Sequence, residues 1–270
     1  MGLMSDPLAS WRIVAEPYYA PSAGEIAAFE AAASLRMPLL LKGPTGCGKT
    51  RFIEHMAWRM GRALVTIACN EDTTAADLVG RWLLDADGTR WHDGPLTFAA
   101  RHGAICYLDE VVEARPDTTV IIHPLADTRR VLPIEARNEL VRAHPDFLLL
   151  ASFNPGYQGL GKGLKPSTRQ RFCAMDFDYP EAEIEMAIVA HESGVDAQTA
   201  RRLVALGRKT RTLQDAGLEE GASTRMLVHA GGLVTQGMTA GEACRMAVVS
   251  ALTDDADLFA ALSAAVDAAF

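Results

Sequence analysis

Eight consecutive residues, Gly43-Pro44-Thr45-Gly46-Cys47-Gly48-Lys49-Thr50, have the form G-x-x-x-x-G-K-T. Glycines let a backbone wrap a polyphosphate with its N–H groups turned inward. A helix starting at the end of such a loop adds the positive end of its dipole. Lys49 is then placed to reach β- and γ-phosphates, and the Thr50 hydroxyl to hold Mg²⁺. The flanks fit this chemistry: Met37 to Leu41 is an apolar run that reads as a buried strand, and Arg51 to Met60 has helical periodicity. A second G-x-x-x-x-G-K stretch, Gly156 to Lys162, is a decoy. Gly163 stands where a hydroxyl is needed and Pro166 follows in place of a helix, so the stretch reads as a flexible loop.

Carboxylates come next. Ile105-Cys106-Tyr107-Leu108-Asp109-Glu110 is an apolar run ending in two acids, about sixty residues after the phosphate loop. One carboxylate of such a pair can hold a hydrated Mg²⁺, and the other can polarise an attacking water. Asp109 is assigned to the metal and Glu110 to the water. Asn154 ends the apolar run Phe147 to Phe153, and its neutral amide can orient the water without competing for the metal. Ser167-Thr168-Arg169-Gln170-Arg171-Phe172 presents two guanidinium forks, Arg169 and Arg171, suited to the charge of a transferring phosphate. Arg225, in Gly221-Ala222-Ser223-Thr224-Arg225, starts a helix and can fold back on the phosphates. Each piece alone has an ordinary reading: a solvated acidic pair, a strand terminator, a basic turn, a capped helix. Together they describe nucleotide hydrolysis.

These residues must be positioned by alternating strands and helices. Expected strands are Met37 to Leu41, Ala63 to Cys69, Ala104 to Leu108, Phe147 to Phe153 and Cys173 to Tyr179, with helices over Glu25 to Leu35 and Pro95 to His102, a short one capped by Thr73 or Thr74, and one starting at Pro116. That order predicts an α/β fold with a parallel five-stranded sheet and ligands at the strand C-terminal ends. Two hairpins interrupt it. One spans Arg81 to Asp93 around Asp85-Ala86-Asp87-Gly88, where Trp82 and Trp91 are either exposed contacts or staples to the body. The other joins Arg129 to Glu135 with Glu139 to His144. Beyond Pro180 only helices are expected, at about 181–192, 197–212, 223–236, 240–251 and 255–269. The chain is therefore divided into an α/β nucleotide-binding domain, 1–180, and a helical lid domain, 181–270. A Phe259/Leu262/Val266 stripe in the last helix reads as lid packing.

Composition narrows the class. The chain has 270 residues, 49% of them hydrophobic, and a net charge of −8. An acidic protein is a poor default binder of nucleic acid, because phosphate neutralisation drives that binding. Five separated cysteines suit a reducing cytoplasm, and the three in or beside strands (Cys69, Cys106, Cys173) are expected to act as small core residues. Seven histidines show no ligand spacing, so no structural zinc is expected. There is no leader pattern and no run approaching a membrane span, so a cytoplasmic protein without membrane contact is expected.

The phosphate loop, Leu108-Asp109-Glu110, Asn154, the Arg169/Arg171 segment and Ser223-Thr224-Arg225 resemble an AAA+ ATPase. The resemblance makes them Walker A, Walker B, sensor 1, arginine finger and sensor 2. The two hairpins resemble the MoxR branch. Leu41 to Phe52, which extends the cofactor-binding stretch through Arg51, together with Ala104 to Thr119 and Lys165 to Phe172, is similar to the CbbQ/NorQ/GvpN subfamily. The wording favours the CbbQ group, the ATPase half of a Rubisco activase. NorQ-type maturation of nitric oxide reductase is the alternative, and a small-molecule kinase or a non-hydrolysing scaffold lies further off. The resemblance implies ATP and Mg²⁺ as cofactors and a homo-hexameric ring in which Arg169 or Arg171 acts in trans. It also implies a partner with a von Willebrand factor A domain, of the CbbO type, and Rubisco as the client.

Overall fold

In the computed structural model, which describes residues 6–22, 24–86, 88–156, 163–213 and 218–270, the chain divides into two compact units. One is built around Lys49–Phe177 and the strand leading to Gly43; the other is Asp178–Phe270 together with Pro44–Gly48 and Tyr19–Ser22.

The first unit runs α1 (Glu25–Ser34), β1 (Leu39–Lys42), α2 (Lys49–Arg59), β2 (Leu64–Ala68), α3 (Ala75–Val79), β3 (Gly80–Asp85), β4 (Gly88–Asp93), α4 (Pro95–His102) and β5 (Ile105–Asp109). It continues through α5 (Pro116–Ile121), α6 (His123–Ala126), β6 (Val131–Ile134), β7 (Glu139–Arg142), β8 (Leu148–Phe153), α7 (Pro166–Arg169) and β9 (Cys173–Asp176). Five strands pair in the order β2-β5-β8-β1-β9, every pairing parallel. Parallel strands are covered on both faces by helices, so they read as unbroken apolar runs. Leu39, Leu40 and Leu41 are buried, as is every residue of β8.

Register fixes the working edge. Lys42 lies opposite Phe153, and Leu108 opposite Ala151, so β1, β5 and β8 end together. The next residues of the chain at that edge are Gly43, Glu110 and Asn154.

Local chemistry explains several boundaries. Thr74, the second of the two candidate caps, accepts from Asp77 N–H while the Asp77 carboxylate accepts from the Thr74 amide. This capping box satisfies two otherwise orphan donors. Pro95 opens α4 and Gly103 closes it in the left-handed conformation. The last strand is shorter than the sequence suggests: after Asp176 only the Phe177 amide still bonds to β1, at Lys42 O, 2.6 Å. Two expectations are corrected. A one-turn helix, α7, does begin at Pro166, because a proline fits the first helical position, where its missing N–H costs nothing. Cys173 is exposed and not a core residue, since β9 is an outer strand of the sheet; Cys69 and Cys106 are buried. The decoy's residues 157–162 lie outside the described residues.

Both hairpins form, β3 with β4 and β6 with β7. The tryptophans divide the two roles. Trp91 is half-buried and donates to Asp93 Oδ1 at 2.7 Å, whereas Trp82 is exposed and packs edge-on against Trp91. Arg101 of α4 bridges Asp93 at 2.8 Å and Glu139 at 2.6 Å, which ties the hairpins to one helix. Asp87, in the first turn, lies outside the described residues.

The second unit is helical: α8 (Ala182–Ser193), α9 (Ala197–Arg211), α10 (Thr224–Thr235), α11 (Ala240–Cys244), α12 (Ser250–Leu252) and α13 (Ala256–Ala269), with a π-helical turn over Arg245–Val249. That turn is a bulge within the helix expected over 240–251, whose backbone stays helical through it. Asp196, Ser223, Thr239 and Asp255 cap the helices that follow them. The core gathers Leu203, Val204, Leu227, Val248, Leu262 and Val266. The terminal stripe packs through Leu262 and Val266, while Phe259 stays exposed. Among the described residues no helix is long and apolar enough to cross a membrane.

Candidate functional site

In the first unit, Lys49 and Thr50 begin α2 where the phosphate loop ends. Lys49 is buried and its Nζ donates to Gly43 O at 2.8 Å. Gly43 admits no side chain, because a Cβ there would lie 2.4 Å from Phe177 O. Thr50 Oγ1 stands 3.4 Å from Asp109 Oδ2 and 3.4 Å from the Tyr107 hydroxyl. Asp109 Oδ1 accepts from Tyr107 Oη at 2.5 Å and from Ser152 Oγ at 2.6 Å. The sequence-predicted Thr50 and Asp109 are thus neighbours, with one carboxylate oxygen held by two hydroxyls and the other facing Thr50.

Glu110 follows with φ 51°, a left-handed conformation for a residue with a side chain. Such a conformation costs about 1–3 kcal/mol and persists where surrounding structure holds it. Here the Glu110 amide donates to Ser152 Oγ at 3.1 Å, and its carbonyl accepts from Glu113 N–H at 2.9 Å. Burial pushes the Glu110 carboxyl above the usual range, with Asp109 and Glu113 adding to the rise. Lys49 and the Asn154 backbone N–H, which bonds the carboxyl, oppose it. Asn154 is itself buried, and its Oδ1 accepts from Gly156 N–H at 2.9 Å.

Lys49, Thr50, Asp109, Glu110 and Asn154 therefore come together in one unit. Tyr107 and Ser152 were not singled out from sequence, although signals existed. Tyr107 lies two residues before Asp109, hence on the same face of the strand. Ser152 is the one hydroxyl in the run Leu148–Phe153.

The arginines differ. Arg169 is exposed at the end of α7, and Arg171 donates to Ser167 O. Arg171 also bears on His123, whose ring Nε2 is 2.9 Å from Thr168 Oγ1; burial first, then Arg171, lowers the His123 pKa. None of these neighbours is shared with Asp109.

In the second unit, Gly46 has φ 69°, and a Cβ there would lie 2.7 Å from Ser223 Cβ and 3.4 Å from Arg225 Cβ. Ser223 caps α10 and Arg225 lies in its first turn, so the turn of the phosphate loop and the start of α10 touch. Arg225 is exposed.

A hydroxyl and a carboxylate oxygen are hard donors, the set Mg²⁺ accepts alongside phosphate oxygens and water. Thr50 and Asp109 fit that ion.

Residues 38–172 match the AAA domain of the dynein-related subfamily, and residues 185–269 match the CbbQ/NirQ/NorQ C-terminal family. The chain is similar to Protein CbbQ of Hydrogenophilus thermoluteolus, 62% identical over 94% of this chain and 96% of that one. It is 57% identical to Protein NorQ of Paracoccus denitrificans, over 90% of each chain. Against the denitrification regulatory protein NirQ of Pseudomonas aeruginosa the identity is 56%, over 94% of this chain and 97% of that one. Among solved structures, a RuvB mutant of Thermotoga maritima aligns with a TM-score of 0.54 at 15% identity, covering 88% of this chain and 67% of that one. That likeness concerns the fold alone.

Proposed function

The chain belongs to the CbbQ/NirQ/NorQ family of AAA ATPases, and from that premise we propose that it is the ATPase subunit of a Rubisco activase. ATP hydrolysis follows from the family and the fold. The observation that carries the finer reading is the 62% identity to Protein CbbQ over nearly the whole chain. The 57% identity to Protein NorQ keeps a second reading, maturation of nitric oxide reductase.

The proposed assignments use the geometry above. The loop from Gly43 to Arg51 cradles the phosphates through backbone N–H groups, and Lys49 leaves Gly43 O to meet the β- and γ-phosphates. Thr50 and Asp109 would hold Mg²⁺, which would supply positive charge against that developing on the phosphates. Glu110 polarises the attacking water; its raised pKa makes it a stronger base than an exposed carboxylate. Asn154 steadies the Glu110 carboxyl through its backbone N–H and presents its side chain beside the water. Arg169 and Arg171 serve the site of a neighbouring subunit in a homo-hexameric ring, and Arg225 approaches the phosphates from α10. The nucleotide-binding domain is 1–180 and the lid 181–270. The partner carries a von Willebrand factor A domain of the CbbO type, and the working place is the cytoplasm.

The test is ATPase activity of wild-type protein mixed with Glu110→Gln or Arg171→Ala subunits at varying ratios. Loss steeper than the mutant fraction supports shared sites in a ring, and strictly proportional loss sinks the trans-arginine assignment. Release of inhibitory sugar phosphates from Rubisco in the presence of the partner supports the client. Activation of nitric oxide reductase with no effect on Rubisco overturns it.

A further inference from the structure

Glu185 of α8 is fully buried, a costly place for a carboxylate. Arg211 at the end of α9 meets it with two bonds, Nη1 to Oε2 at 2.9 Å and Nη2 to Oε1 at 2.6 Å. Arg211 does more than neutralise. Its Nε donates to Ala222 O at 2.8 Å, and its guanidinium lies 3.8 Å from the centre of the Tyr179 ring. Glu185 Oε1 also accepts from the Thr224 hydroxyl at 2.6 Å. The Thr210 hydroxyl accepts from the Ala222 amide at 2.9 Å. Three of these bonds, from Arg211 Nε, the Thr224 hydroxyl and the Ala222 amide, fall on Ala222 and Thr224, at the entry to α10. At the other end, Tyr179 Oη donates to Thr45 O at 3.2 Å, in the turn of the phosphate loop. Burial holds the Tyr179 phenol protonated, so it remains a donor.

We propose that Tyr179, Arg211 and Glu185 are positioning residues for the ATPase reaction: they lock the start of α10, and with it Arg225, against the phosphate-loop turn Thr45-Gly46. A buried ion pair serving only the helical core has no need to stack on a tyrosine that bonds Thr45 O on one side and to hold the residues flanking Ser223 on the other. The loop has a fixed height relative to α10, since Ser223 fills the space beside Gly46. Any displacement of Thr45 by bound phosphate is passed through the Tyr179 ring to Arg211, and from there to Ala222 and Thr224. The residues that set how Arg225 meets nucleotide thus lie off the motifs that announce the site.

This inference rests on the reading of Arg225 as a phosphate-sensing residue. Truncating Glu185 or Arg211 leaves a buried charge unpaired and endangers folding, so the test uses Tyr179→Phe, which keeps the stack and removes one hydroxyl. ATP and ADP dissociation constants are measured on the full chain for Tyr179→Phe, Arg225→Ala and the double variant. One lost hydrogen bond predicts about three- to tenfold weaker ATP binding, with ADP less affected. In the double variant ATP binding should be no weaker than in Arg225→Ala alone, because the hydroxyl acts through that arginine. Three outcomes overturn the inference: wild-type ATP affinity in Tyr179→Phe with Arg225→Ala impaired, equal weakening for ATP and ADP, or losses that multiply in the double variant. Wild-type affinity in Arg225→Ala removes the role of Arg225 and this inference together.

Discussion

Ser152 Oγ donates to Asp109 Oδ1 at 2.6 Å across the junction of β8 and β5, and the same hydroxyl accepts from the Glu110 amide at 3.1 Å. One buried side chain thus orients both acidic residues: the carboxylate assigned to the metal, and the backbone of the residue assigned to the water. Ser152→Ala leaves the sheet intact and removes both bonds. Loss of such an outer partner typically costs about 10–100-fold in metal affinity or activity. A Mg²⁺ titration of ATPase activity should show a half-activating concentration raised by about tenfold. An unchanged titration would mean that Asp109 is held by Tyr107 alone.

Glu110→Gln should abolish turnover while leaving ATP binding within about threefold of wild type, since the change removes a base and keeps the shape. The check pairs single-turnover hydrolysis with equilibrium ATP binding. Equal loss of both would assign Glu110 to binding.

The raised pKa of Glu110 sets the sign of the pH dependence. The carboxylate is the working form, so kcat should fall as pH drops through a value above the usual carboxylate range. Wild-type kcat should therefore fail at a higher pH than an unperturbed carboxylate allows. A kcat that stays flat down to the ordinary carboxylate range would contradict the arrangement.

Gly46→Ala should weaken ATP binding by at least about tenfold. The new Cβ meets Ser223 at 2.7 Å, and the φ of 69° disfavours any side chain. Gly48→Ala controls for backbone strain, since φ there is 106° but a Cβ meets nothing within 4 Å. Similar losses in both variants would mean that strain, and not the contact with α10, governs the loop.

Leu41→Ala removes a fully buried side chain from β1 and should destabilise the protein by about 2–5 kcal/mol. Thermal unfolding with and without Mg²⁺-ATP measures it. Ligand should recover part of the lost midpoint, because binding to the native state alone stabilises it by mass action.

Much of the site is local information, and the sequence by itself determined it. The G-x-x-x-x-G-K-T spacing, the apolar run ending in Asp109-Glu110 and the strand ending before Asn154 each require only a strand, a turn or a helix start to have meaning. The strands β1, β5 and β8 are buried on both faces, so their apolar runs could be read directly, and a parallel order follows from the alternation of strands with helices. The short outer strand was harder to bound, because β9 is exposed and lacks that signal. Only the tertiary structure decided what reaches the motifs from afar. Ser152 and Tyr107 acquire their role from the pairing of β5 with β8. Tyr179, Arg211 and Glu185 come from three separate segments, and Cys173 from its outer position. None carries a spacing rule, because the contacts that define them join residues far apart in sequence, and a chain specifies those only through the packing of the whole.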